Sequence, residues 1–166
     1  MKNPKTNSNT SSKTTGAADG VTASFSAAFS VGVSAVQAHV LRLTPGQDLY
    51  AELARYAKET NASYSIGTCV GSLSEAFMRM PGENVATHFA GPFEIVSLVG
   101  TLTADGVHLH IAVSDRVGQV RGGHLKEKSL IHTTAEIVLF ELLNLHLQRK
   151  HDDKTGYPEL VIQRRV

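Results

Sequence analysis

The sequence predicts an α+β fold, a compact and mainly antiparallel sheet with one or two helices packed on it. Three observations carry this. Residues 93–103 and 107–114 are apolar, β-branched runs flanking Ala104-Asp105-Gly106, and Asp-Gly tolerates the positive φ angles of tight hairpin turns. Other short apolar runs follow one another with only tight turns between them, and strands so joined pair antiparallel. The segment Asp48–Thr60 places Leu49, Leu53, Tyr56 and Ala57 at spacings of three and four, the stripe of a helix that covers one face of a sheet.

Taken in order, residues 1–34 differ in composition from the rest. Met1–Gly20 is rich in Ser, Thr and Asn, with Met1, Ala17 and Ala18 as its apolar residues, so a disordered tail is expected. The apolar centre of a secretory signal is missing. Residues 21–36 are small and apolar and fit either an extra strand or a helix. The domain is expected to occupy residues 35–166. Val36–Leu43 alternates as a half-buried strand does, and Thr44-Pro45-Gly46 breaks it. Thr44 or Asp48 can cap the helix, and Asn61 can stop it.

Residues 63–70 and 74–80 read as two strands around a turn at Gly71-Ser72, and Pro81-Gly82 as a further turn. A short piece at 85–89 precedes the hairpin. Beyond it, residues 118–123 read as turn, short strand and turn, the last at Gly122-Gly123. Residues 131–143 carry β-branched positions that favour a strand and Glu and Leu positions that favour a helix. Residues 144–149 alternate as a strand, and Lys154–Pro158 is expected to close the domain with a turn.

Composition excludes some functions. Hydrophobic residues are 42% and charged residues 19%, enough for an ordinary core. The net charge of +1 does not suit a free-standing nucleic-acid binder. The short basic clusters at Gln148-Arg149-Lys150 and Gln163-Arg164-Arg165 read as solvated ends. No apolar run approaches the roughly 18 residues of a membrane span. The lone Cys69 rules out an intrachain disulfide, and its apolar surroundings predict a buried, inert thiol. An intracellular, cytoplasmic setting is expected, with nuclear and organellar ones left open.

The chemistry concentrates in the histidines. On a strand, Val107, Leu109, Ile111 and Val113 share one face, while His108, His110, Ala112 and Ser114 share the other. Two imidazoles then lie about 6.5–7 Å apart along the strand. Neutral ring nitrogens are good ligands for zinc and similar divalent ions. His124, after Gly122-Gly123, is the best third ligand, and three histidines plus water make an open zinc site. His88, just before Gly91, is a more distant candidate.

The run Gly91-Pro92-Phe93-Glu94-Ile95-Val96-Ser97-Leu98-Val99-Gly100-Thr101-Leu102 resembles the signature strand of the plants-and-prokaryotes conserved domain family. The resemblance continues through Asp105-Gly106, His108-Leu109-His110, Ser114-Asp115 and Gly118–Leu125. Upstream, Leu41–Leu49 is similar to the family's opening strand and helix, and Gly71-Ser72-Leu73 to its glycine turn. The similarity spans about residues 36 to 162. It implies a homotrimer, with Gly91, Pro92, Phe93 and Glu94 as a contact surface for partners or for the trimer. Plant members carry AT-hook motifs that bind A·T-rich DNA. An Arg-Gly-Arg-Pro core is missing here, the only Arg-Gly being Arg121-Gly122, so DNA binding by that route is unsupported. Pro92 and the His108, His110 and His124 trio resemble stand-alone prokaryotic-type members.

Three functional readings follow. The first is a homotrimeric binding or regulatory module with a metal or small-ligand site at the trio and no established catalytic activity, its catalytic residues being unknown. The second is a metal-dependent hydrolase or lyase, with Glu94 or Asp115 as base. The third is a DNA-associated regulator, which would need a basic patch assembled across subunits.

Overall fold

The alternating stretches become eight strands, and the stripe at 49–60 becomes one helix, among residues 31–165 that the computed structural model describes. The expected tail lies outside the described residues up to residue 30. In chain order the elements are β1 (Val36–Leu43), α1 (Leu49–Thr60), β2 (Tyr64–Arg79), β3 (Ala86–Thr103), β4 (Gly106–Ser114), β5 (Val120–Leu125), β6 (Ile131–Leu142), β7 (Leu145–Asp152) and β8 (Tyr157–Arg164). Of the one or two helices expected, one is found among the described residues.

Asp48, not Thr44, caps α1. Its Oδ1 accepts from the backbone N–H groups of Tyr50 at 2.9 Å and Ala51 at 3.1 Å, satisfying two amides that have no partner inside the helix. Asn61 ends the helix in the left-handed conformation, φ 49° and ψ 41°. Leu49, Leu53 and Ala57 are fully buried, and α1 lies against β3 and β4.

The main sheet runs β1-β6-β2-β3-β4-β5, every pair antiparallel. β2 is 16 residues long and serves two neighbours along one edge. Tyr64–Leu73 pairs with β6, while Met78 and Arg79 pair with Leu125 and His124 of β5. β2, β3, β4 and β5 therefore close on themselves around Met78, Leu98, Leu102, Leu109, Val113 and Leu125, all buried. This closure seals the apolar faces inside and turns the opposite faces outward.

Several local expectations are corrected. The segments at 63–70 and 74–80 form one strand, and Gly71 lies within it rather than in a turn. Gly71 has φ +154°, and a Cβ there would sit 2.1 Å from the carbonyl oxygen of Thr134 on β6. β2 shifts register against β6 between Gly71 and Leu73, so this glycine marks an irregularity in the ladder. Residues 85–89 likewise run on into the hairpin strand as β3, through a cis Gly91–Pro92 bond.

Gly122 and Gly123 lie in β5, not in a turn. A Cβ on Gly122 would meet the Ile111 carbonyl oxygen at 2.7 Å, and one on Gly123 would meet the Arg79 carbonyl oxygen at 3.1 Å. Small size at a close backbone approach, rather than bending, is what these positions use. The hairpin turn is confirmed, with Ala104 and Asp105 as its two loop residues and Gly106 taking the positive φ of +150°. Residues 131–143 resolve as strand β6, between β1 and β2. The turn near 154–156 does not close the domain. It leads into β8, which pairs with β7 in a separate ribbon. The Arg149 guanidinium donates to Thr101 Oγ1 at 2.6 Å and the Leu147 amide to Ser63 Oγ at 2.8 Å, docking this ribbon on the main sheet.

Candidate metal centre

Alternation along β4 is as the sequence requires. Leu109, Ile111 and Val113 are buried at 0–3% exposure, and His108 and His110 point the other way. β5 then brings the third imidazole, because His124 stands directly opposite His110 in the ladder. Ring centroids are 5.1 Å apart for His108 and His110, 4.9 Å for His108 and His124, and 5.4 Å for His110 and His124. One nitrogen from each ring lies within 4.8 Å of the other two.

This donor set fits a divalent ion. Zinc with nitrogen ligands at about 2.0–2.1 Å in tetrahedral geometry sets them roughly 3.4 Å apart. Small side-chain rotations would bring the three rings to that spacing, and three nitrogens leave a coordination position open. Two of the rings, His108 and His124, also favour the neutral form that binds metal. Burial, then the positive charges of Lys126 and Arg79 with His108 between them, pushes His124 down to about 4. Burial, followed by Arg149 and His110, lowers His108 against the opposing pull of Glu159.

His108 and His124 line a cavity of about 380 Å³, and His110 lies outside its lining. The cavity wall holds three cations that the histidine spacing does not reveal. Arg79 is the register partner of His124 on β2, Lys126 lies two residues past His124, and Arg149 reaches over from β7 to Thr101, itself opposite His108. Glu159 of β8 and Asp105 of the hairpin turn are the acids on the same wall. Arg79 carried a sequence signal only through the β2–β5 pairing, and Arg149 and Glu159 only through the docking of the ribbon.

The remaining candidates lie elsewhere. Phe93 is buried at 4%, and the Arg121 guanidinium sits 5.9 Å from its ring centre and 5.3 Å from that of Phe89. Gly91, Pro92 and Phe93 line a shallow depression with Asp115, Arg116 and Val117. Glu94 is exposed and pairs with Ser114, four positions along β4 from His110, so about 13 Å away by the strand rise. Asp115 is held by the amides of Gln119 at 2.9 Å and Val117 at 3.0 Å and by Arg121 at 3.1 Å, and those amide bonds hold its carboxyl below the usual range. Neither carboxylate joins the trio. His88 is also apart from it, stacked on Phe77 with centroids 4.6 Å apart and bonded to Glu75 at 3.0 Å.

A small closed antiparallel sheet with a three-histidine site on its outer surface defines the class. Residues 31–143 match the family described as the Plants and Prokaryotes Conserved (PCC) domain, and the chain belongs to it. The Bifunctional protein GlmU of Synechococcus sp. strain JA-3-3Ab is 43% identical over 132 residues, which cover 78% of this chain and 21% of that protein. The chain thus spans about a fifth of the length of the curated relatives it matches. A hypothetical protein from Salmonella enterica superposes with a TM-score of 0.78 at 37% identity, over 81% of this chain and 99% of that one. A metal-containing protein from Archaeoglobus fulgidus has the same fold, with a TM-score of 0.69 at 23% identity over 80% of this chain and 99% of its own. No helix among the described residues is long and apolar enough to cross a membrane.

Proposed function

We propose that this PCC-domain chain is a homotrimeric binding or regulatory module that holds zinc or a similar divalent ion on His108, His110 and His124. The observation that carries the reading is the mutual approach of three imidazole nitrogens within 4.8 Å, on two strands whose other faces are locked in the core. A bound ion would supply Lewis acidity and an open ligand position. The hydrolase or lyase reading needs a base beside that position; Glu94 and Asp115 lie too far along the hairpin to serve, which leaves it only Asp105 and Glu159 of the cavity wall.

Association is supported by apolar side chains left on the sheet surface, including Val40 at 78%, Val96 at 56% and Val99 at 55% exposure. The Gly91–Glu94 segment would contribute to such contacts. A DNA-associated role finds less support, since the net charge is only +1 and the three cations beside the histidines line a concave cavity rather than an open stripe.

Metal analysis of untagged protein tests the site. One ion per chain is expected in the parent and at least a tenfold loss in His110→Ala, and equal metal in both would overturn the reading. Light scattering tests the assembly, with three times the 17.8 kDa chain mass expected. A monomer would remove the trimer.

A further inference from the structure

We infer that the cavity beside the trio binds a small oxyanion, a carboxylate or phosphate group, with one oxygen at the open position of the bound ion and the others on Arg79, Lys126 and Arg149. The inference rests on the metal reading above and names the ligand class of that site. The physical argument is one of charge. Arg79 flanks His124 across the β2–β5 ladder, Lys126 follows His124 in the chain, and Arg149 is fixed beside His108 by its bond to Thr101.

Three cations around a divalent ion repel it and one another, and Asp105 and Glu159 offset only two of the charges on the wall. A ligand carrying negative charge relieves that repulsion, and oxygen anions both coordinate metal and accept from guanidinium. Arg149 is built for this. Its Nη2 is spent on Thr101, while its Nε is buried without a partner among the described residues. The volume, about 380 Å³, suits a small molecule rather than a polymer. Tyr50 and Tyr157 complete the wall with ring surface for the rest of such a ligand.

The test uses the full chain, metal-free and loaded with cobalt(II), titrated with inorganic phosphate, acetate and neutral acetamide. Binding is read by calorimetry and by the visible spectrum of the cobalt. We expect phosphate or acetate to bind the loaded chain at millimolar concentration or below and to change the cobalt spectrum, with acetamide silent. The relative response to the two anions tells phosphate from carboxylate recognition. R79Q/K126Q and R149Q should each weaken anion binding at least tenfold. R79Q/K126Q leaves the ribbon-docking bond intact, which guards against a folding defect in R149Q. Silent anions, an equal response to acetamide, or variants that bind as the parent does would overturn the inference. A chain that takes up no cobalt would sink the metal reading instead. The metal-free titration would then decide the anion site, through phosphate binding that is present and lost in R79Q/K126Q, or absent.

Discussion

His110 and His124 face each other across the β4–β5 ladder, Cα opposite Cα, with imidazole centroids 5.4 Å apart. Each ring is aimed by a strand whose neighbouring residues are committed to the core, Leu109 and Ile111 on one side and Leu125 on the other. The site is thus held by packing that does not depend on an ion.

That environment predicts an acid sensitivity. His124 is pushed down to about 4 in the folded chain, against an ordinary value near 6.5 when unfolded. Between those values the unfolded chain binds more protons, so stability rises with pH through the window and is lost as pH falls from about 6.5 towards 4. Thermal melts of metal-free protein should show a lower midpoint at pH 4.5 than at pH 7, and His124→Asn should flatten that difference. An equally steep profile in the variant would contradict the assignment.

Gly100 tests how closely the strand bearing the histidines is packed. It has φ +142°, and a Cβ there would fall 1.9 Å from the carbonyl oxygen of His108. Gly100→Ala should cost about 3 kcal/mol, because backbone on both sides must move. Gly82→Ala, also at positive φ but in open space, should cost only about 1 kcal/mol. Denaturant midpoints of the two variants give the comparison, and equal losses would refute the close-approach argument.

Asp48 joins two parts of the fold. Oδ1 caps α1, while Oδ2 accepts from the amide of Lys128 in the loop before β6. Asp48→Ala loses both and should cost roughly 2 kcal/mol. Asp48→Asn keeps an oxygen for the cap but offers an NH₂ to the Lys128 amide, so it should fall between parent and Ala. Chemical denaturation orders the three.

Cys69 should be inert in the native chain. The residue is half-buried rather than fully buried as its surroundings predict, and the burial of its thiol still pushes it up to about 12, so almost no thiolate is present at pH 8. A thiol reagent such as DTNB should react slowly with folded protein and fully after unfolding in guanidinium. Rapid native labelling would contradict this assignment.

The clearest element in the sequence, the hairpin of β3 and β4, is read from two apolar, β-branched runs about an Asp-Gly turn, because both the runs and the turn are local features of the chain. Val36–Leu43 and the helix with its Asp48 cap are legible for similar local reasons. Gly71 and Gly122-Gly123 are not. A glycine signals a bend or a close neighbour equally well, and which of the two applies is set by Thr134 and Ile111 on other strands. Residues 131–142 are ambiguous by composition and become strand because β1 and β2 offer ladders on both sides. β8 is not legible because Tyr157-Pro158 looks like the end of a turn, and only β7 gives it a partner.

By itself the sequence determined the pair of imidazoles at 108 and 110, since alternation sends neighbours on a strand to opposite faces whatever surrounds them. The assembly of His124, Arg79 and Arg149 around that pair was decided by tertiary structure. Residues 14 to 41 positions from that pair meet it only when β5 pairs with β4, β2 closes on β5 and the β7–β8 ribbon docks at Thr101, and those contacts follow from burying the whole sheet rather than from any local pattern.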